Sequence, residues 1–251
     1  MYLTRFRVNI ARSGARYLLS SPQRLHAGVL ASFPGLPSDP AVRPRILWRL
    51  DHGARADVRL YVVSPDRPDL THLVEQAGWP TLAEPDAPGW ESRHYQPFLS
   101  RLAKGDHWSF RLTANPVHSI RRKDGEPTKR TAHVSPRHQL GWLLKQRERH
   151  GFDLLPGVAP DDQDPLQRYA VVVHDRRDLA FRKRPEDPAP ATEEKSKDRP
   201  NKPVTLTTTV FSGRLEVTDP DALRNALTQG IGRGKAYGCG LLTLAPEGQA
   251  G

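Results

Sequence analysis

The sequence has one cysteine, Cys239. A single thiol excludes an internal disulfide and any Cys-rich zinc site. No apolar run approaches the roughly 18 residues that a membrane-spanning helix needs. Residues 2–10 read Tyr-Leu-Thr-Arg-Phe-Arg-Val-Asn-Ile, with Arg5 and Arg7 inside, and so lack the apolar centre of a secretion signal. These absences predict a cytoplasmic protein with no membrane partner. Gly-x-Ser-x-Gly, the serine-nucleophile signature, is missing, and so is His-Glu-x-x-His. His107, His118, His133, His138 and His150 cluster along the chain without acidic companions at ligand spacing, so neither a metal nor a cofactor is expected. Hydrophobic residues are scarce at 37%, yet above the disordered range.

What the chain has in excess is positive charge. Its 251 residues carry 38 Lys or Arg against 28 Asp or Glu, a net +10. Such an excess attracts polyanions, so from charge alone nucleic acid or an anionic membrane surface leads the list of partners. The charge is uneven: residues 101–150 hold 12 Lys or Arg and 4 Asp or Glu, a difference of +8. Arg121, Arg122, Lys123, Lys129 and Arg130 are its densest part. Gly125 and Pro127 interrupt them, which predicts a basic loop over 121–130 that grips phosphates. Residues 185–203, rich in Pro, Glu and Lys, read as a mobile insertion.

Length allows one large domain or two small ones. Residues 2–10 alternate with period two, the pattern of a half-buried strand. Ser21-Pro22 opens a helix reaching about Phe33, with Leu25, Val29, Leu30 and Phe33 on its buried face. Ile46–Leu50 and Val58–Val63 read as strands, Leu70–Ala77 as a short helix and His107–Ala114 as a strand. This β-α-β-β-α-β order is ferredoxin-like. A second set follows less clearly: a strand near Ala132–Val134, a helix over Gln139–Gly151, strands at Arg168–His174 and Val204–Val217, a helix over Asp219–Leu227 and a strand at Leu241–Ala245. The expected class is α+β, two tandem ferredoxin-like domains over 1–116 and 117–251.

Two segments could carry chemistry. Gly230-Ile-Gly-Arg-Gly-Lys-Ala-Tyr-Gly-Cys-Gly240 is not a P-loop: Gln229 stands where the first glycine belongs, and Ala236 where Ser or Thr belongs. It also follows a helix and precedes a strand, the reverse of phosphate-binding motifs. It is either a tight connection or a loop whose backbone at Gly230, Gly232 and Gly234 approaches phosphates beside Arg233 and Lys235. The other segment is the start of the first helix. Its positive end favours a neutral imidazole at His26, the form a general base needs. From these residues alone, an ordinary half-exposed helical histidine is the simpler reading. Cys239, just before a strand, reads as a packed core thiol.

Several stretches together resemble the CasE family, CRISPR repeat-processing endoribonucleases of type I-E systems. They are Met1-Tyr-Leu-Thr-Arg-Phe, Leu25-His26 leading to Ser32-Phe33-Pro34, Phe110-Arg-Leu-Thr-Ala-Asn-Pro116, Phe211-Ser-Gly-Arg-Leu-Glu-Val-Thr-Asp219 and residues 230–246. The resemblance spans nearly the whole chain, in order. It implies two ferredoxin-like domains and binding of the stem-loop of precursor CRISPR RNA. It further implies metal-independent cutting at the 3′ base of the stem by attack of the 2′-OH. The product would stay on the protein as a guide RNA beside other Cascade subunits. It assigns His26 as the catalytic residue. Some members carry a tyrosine three residues before that histidine; Gln23 stands there in this chain. Arg24 and Lys235 are candidates to stabilise the phosphorane. Two other readings are a non-catalytic RNA-binding subunit of the same complex and a general nucleic-acid-coating protein.

Overall fold

The structure is a computed structural model. It describes residues 1–39, 41–80, 83–84, 87–120, 129–158, 164–181 and 203–248. Two compact units divide between Gln96 and Pro97, one built on Met1–Gln96 and the other on Pro97–Asp178 and Leu206–Gly251.

The first unit runs β1 (Tyr2–Val8), α1 (Ser13–Leu19), α2 (Pro22–Ala31), β2 (Leu47–His52), β3 (Val58–Ser64), α3 (Thr71–Ala77), β4 (Ala83–Glu84), β5 (Ala87–Pro88) and β6 (Trp90–His94). Its antiparallel sheet has the order β2-β3-β1-β6, while β4 and β5 pair only with each other. The period-two pattern of β1 works as predicted: Thr4, Phe6 and Val8 face inward and Arg5 and Arg7 outward. Phe6 lies opposite Leu60 and Trp90. Leu25 and Val29 of α2, Ala15 and Leu18 of α1, and Leu73 of α3 join Phe6, Leu60 and Val62 in one core.

The second unit runs α4 (Gln96–Arg101, its first residue at the divide), β7 (His107–Ala114), β8 (Val117–Ile120), β9 (Lys129–Ala132), α5 (Pro136–Leu144), β10 (Phe152–Leu154), α6 (Pro165–Arg168), β11 (Val171–Phe181), β12 (Val204–Val217), α7 (Pro220–Gln229) and β13 (Leu242–Ala245). The sheet order is β10-β12-β7-β13, with β11 also on β12. In both units the first strand sits between the third and fourth, the ferredoxin-like arrangement, so the expected fold class stands. Phe110, Leu112, Leu140, Leu143, Phe211, Leu215, Leu223 and Leu227 fill the second core.

The structure corrects the strand assignment at the join. His107–Ala114, expected to close the first domain, opens the second sheet between β12 and β13. The first sheet is closed instead by Trp90–His94, a polar edge strand whose single hydrogen-bonded neighbour leaves little hydrophobic pattern to read. The units accordingly divide before residue 116. Ala132–Val134 is no first strand either: β9 pairs only with β8, forming a separate hairpin. The helix expected over Gln139–Gly151 ends at Leu144, followed by a short 3-10 turn at Glu148–His150 and by Gly151 with φ +68°. Arg168 closes the α6 turn, and the strand expected there begins at Val171. Of the insertion expected at 185–203, all but Pro203 lies outside the described residues. No helix among the described residues is long and apolar enough to cross a membrane.

Candidate active site

His26 stands on α2, in a helix whose start is well specified. The Ser21 side chain accepts from the Gln23 N–H at 3.3 Å, and Pro22 occupies the first turn. Burial of Leu25 and Val29 fixes the helix's rotation, which leaves His26 half-buried and Arg24 exposed. The indole Nε1 of Trp48, a buried core residue on β2, donates to His26 Nδ1 at 3.3 Å. Nothing in the sequence marks this contact, because 22 positions separate the two residues and β2 faces inward for packing reasons of its own. Gln23 is half-buried one turn earlier. Arg24 is held locally: its guanidinium donates to Ser20 Oγ at 2.6 Å and lies 4.1 Å from the centroid of the Tyr17 ring.

The glycine-rich segment belongs to the second unit and joins α7 to β13, the order read from the sequence. It is a closed lobe. Ile231 N–H donates to Gly240 O at 2.9 Å, Tyr237 N–H to Gly234 O at 2.8 Å, and Gly240 N–H to Thr113 O of β7 at 2.7 Å. Gly230, Gly232, Gly234, Gly238 and Gly240 all have positive φ, from 75° to 89°. At Gly232 a Cβ would also lie 2.8 Å from Trp142. Backbone conformation therefore accounts for every glycine here, and the glycines alone do not mark a phosphate site. What remains as signal is Arg233, exposed and paired across a β-bridge with Asn115, and the half-buried Lys235. Lys235 adds to the field around His150, whose pKa is held below the usual histidine value first by burial, then by Arg149 and Lys235. Cys239 is fully buried, which pushes its thiol up to about 12 and makes it the core thiol expected.

Of the basic loop, Lys129 and Arg130 lie on β9, opposite Ile120 and Ser119 of β8, and Arg130 is exposed. Arg121, Arg122 and Lys123 lie outside the described residues. At the base of this hairpin the fold gathers three histidines that their sequence spacing did not reveal. His118 stacks on His133 with ring centroids 4.2 Å apart, and His133 lies 5.9 Å from His138. Burial, then His118, His138 and Lys145, lowers the His133 pKa. Among the described residues no three His, Cys, Asp or Glu side chains are arranged to hold a metal ion.

The likeness to known proteins runs the length of the chain. A family model described as CRISPR associated protein matches residues 1–246. The CRISPR-associated endoribonuclease Cse3 of Thermus thermophilus is 28% identical over 251 residues, covering 98% of this chain and 100% of the relative. The CRISPR system Cascade subunit CasE of Escherichia coli is 27% identical over 256 residues, covering 98% and 100%. The structure of CRISPR endoribonuclease Cse3 bound to a 19-nucleotide RNA matches with a TM-score of 0.69 at 28% identity, over 98% of this chain and 100% of that one. The crystal structure of Cas6e from Escherichia coli shares the fold at a TM-score of 0.53 and 21% identity, covering 98% and 100%.

Proposed function

The chain belongs to the CasE and Cse3 family of CRISPR-associated proteins, and from that premise we propose that it is an endoribonuclease that processes precursor CRISPR RNA. The observation that carries this reading is its end-to-end likeness to an endoribonuclease with RNA bound; the half-buried His26 on α2, to which the resemblance assigns the catalytic role, supports it. In this reading the protein binds the repeat stem-loop and cuts at the 3′ base of the stem. It then stays on the guide RNA as one subunit of a Cascade complex in the cytoplasm.

The chemistry is within reach of these side chains. The 2′-OH attacks the adjacent phosphorus and loses its proton. The P–O5′ bond breaks, its electron pair goes to O5′, and O5′ takes up a proton. A histidine positioned at this centre typically contributes about 10² to 10⁴ in rate near neutral pH. The phosphorane between attack and departure carries added negative charge, which a fixed cation or N–H stabilises. His26 is the residue of this chain assigned to the proton chemistry. Arg233, Lys235 and the basic residues from Arg121 to Arg130 are assigned to holding the RNA backbone, whose phosphates Lys and Arg reach along the groove rims.

The experiment is incubation with a hairpin repeat RNA in excess chelator, followed by analysis of the product ends. The expected products are a 2′,3′-cyclic phosphate (or the monophosphate it hydrolyses to) and a 5′-hydroxyl. A 2′-deoxy substitution before the scissile phosphate should bind and resist cutting. Cleavage of that deoxy substrate, or loss of cutting in chelator, would overturn the mechanism.

A further inference from the structure

The contact between Trp48 and His26 carries more than packing. An indole nitrogen is only a donor, so the imidazole nitrogen facing it must offer a lone pair. That nitrogen is Nδ1, 3.3 Å from Trp48 Nε1. A neutral imidazole has one ring proton, and with Nδ1 accepting, that proton sits on Nε2. The geometry around Trp48 is fixed independently, because the residue is 2% exposed and belongs to the core of the first unit with Leu25 and Val29, the flanking residues of His26's own helix. Neither helix nor indole can shift without disturbing that core. The pairing is also selective. Among the described residues, the indole nitrogens of Trp79, Trp90 and Trp108 are buried with no hydrogen-bond partner, so the fold does not supply one to every tryptophan.

We propose that Trp48 is a positioning residue for His26: its indole N–H holds Nδ1 and sets the ring as the Nε2–H tautomer, so that His26 meets the RNA as a hydrogen-bond donor. Such a donor suits the oxygens of the scissile phosphate, on which negative charge builds, and not the 2′-OH, which must lose a proton. The proposal rests on His26 being the catalytic histidine.

The test has a spectroscopic and a kinetic arm, both on the full chain. In ¹⁵N-histidine-labelled protein at a pH where His26 is neutral, the His26 ring nitrogens should show the Nε2–H tautomer as the dominant species. A dominant Nδ1–H tautomer overturns the proposal without need of any Trp48 variant. Trp48→Phe keeps the ring's bulk and removes the donor; it should mix the tautomers and slow single-turnover cleavage of hairpin RNA roughly three- to tenfold, the scale of one net hydrogen bond. Affinity for the hairpin should change less than about twofold. In a His26→Ala background the same Trp48→Phe change should have no further effect, since its partner is gone. Equal slowing in both backgrounds would make Trp48 a structural residue only and overturn the proposal. If His26→Ala itself cuts at the parent rate, it is the assignment of His26 that fails, and the tautomer result stands apart from it.

Discussion

The guanidinium of Arg24 lies 4.1 Å from the centroid of the Tyr17 ring while donating to Ser20 Oγ. This cation–π contact joins α1 to α2 at their exposed edge and is worth about 0.5–1 kcal/mol at such a site. It also gives Arg24 a structural task, two positions from His26. Arg24→Ala is therefore expected to lower stability by about that amount and to slow cleavage less than about fivefold. Thermal melts and single-turnover rates check it; a loss approaching that of His26→Ala would return Arg24 to the reaction centre.

His26→Ala should slow cleavage at least about 10²-fold, on the usual scale of general acid–base catalysis. Hairpin affinity should change little, because one imidazole is a small part of a basic RNA surface. Gln23→Ala should cost much less, since an amide exchanges no proton near pH 7 and acts only by positioning. Rates and affinities measured side by side on the same RNA decide both points.

Replacing Arg233 and Lys235 together with Ala removes charge from the lobe and leaves its five positive-φ glycines in place. The double variant should melt within a few degrees of the parent but lose RNA affinity, cleavage rate or both. Gly232→Ala is the contrasting change. Its φ of +75° and the 2.8 Å approach to Trp142 predict a destabilisation of roughly 1–3 kcal/mol from backbone strain and crowding together. A double variant that binds and cuts like the parent would leave the lobe a purely structural connection.

Neutralising Arg122, Lys123, Lys129 and Arg130 should weaken hairpin binding and flatten the dependence of log Kd on log salt. For each phosphate that these side chains cease to neutralise, the slope should shrink by roughly 0.7 to 0.9, because one fewer counterion is released on binding. Filter-binding or anisotropy titrations at several salt concentrations read it directly, and an unchanged slope would take these residues out of the interface.

Stability should fall as pH drops below about 6.5. Burial, then Arg149 and Lys235, holds His150 below its ordinary value, and desolvation is likewise the first cause at His133 and His174. Each of these groups binds a proton more readily in the unfolded chain. Their contribution is therefore complete above the unfolded value and is lost on acidification through the window below it. Melting temperatures between pH 7.5 and 5.5 should decline, and His150→Gln should make that decline shallower. A parallel decline in parent and variant would remove His150 from the effect.

Much of the fold is written in local patterns. The alternation of β1 names its inward face, Ser21-Pro22 names the start of α2, and Asp219-Pro220 names the start of α7, whose N–H groups at 221 and 222 the Asp219 carboxylate accepts. These are short-range effects of sterics and capping, so the residues involved are neighbours in the chain. His26 is legible as a helical histidine, and the resemblance is what assigns it the catalytic role. Its partner is not legible. Trp48 reaches Nδ1 only because β2 and α2 pack on the same core, a contact no periodicity encodes. The same cause misplaced His107–Ala114. Its alternation says that it is a strand half-buried in some sheet, but which sheet depends on pairing with Thr209–Glu216 and Leu242–Ala245, segments far along the chain. The glycines of the lobe leave two readings open in the sequence, since a residue type that permits close approach of phosphate is also the one required wherever φ turns positive. Local sequence sets the charge and the elements with a clear apolar period or cap; packing sets the polar edge strand Trp90–His94, which strands share a sheet and which group faces His26, because these depend on burial shared between distant segments.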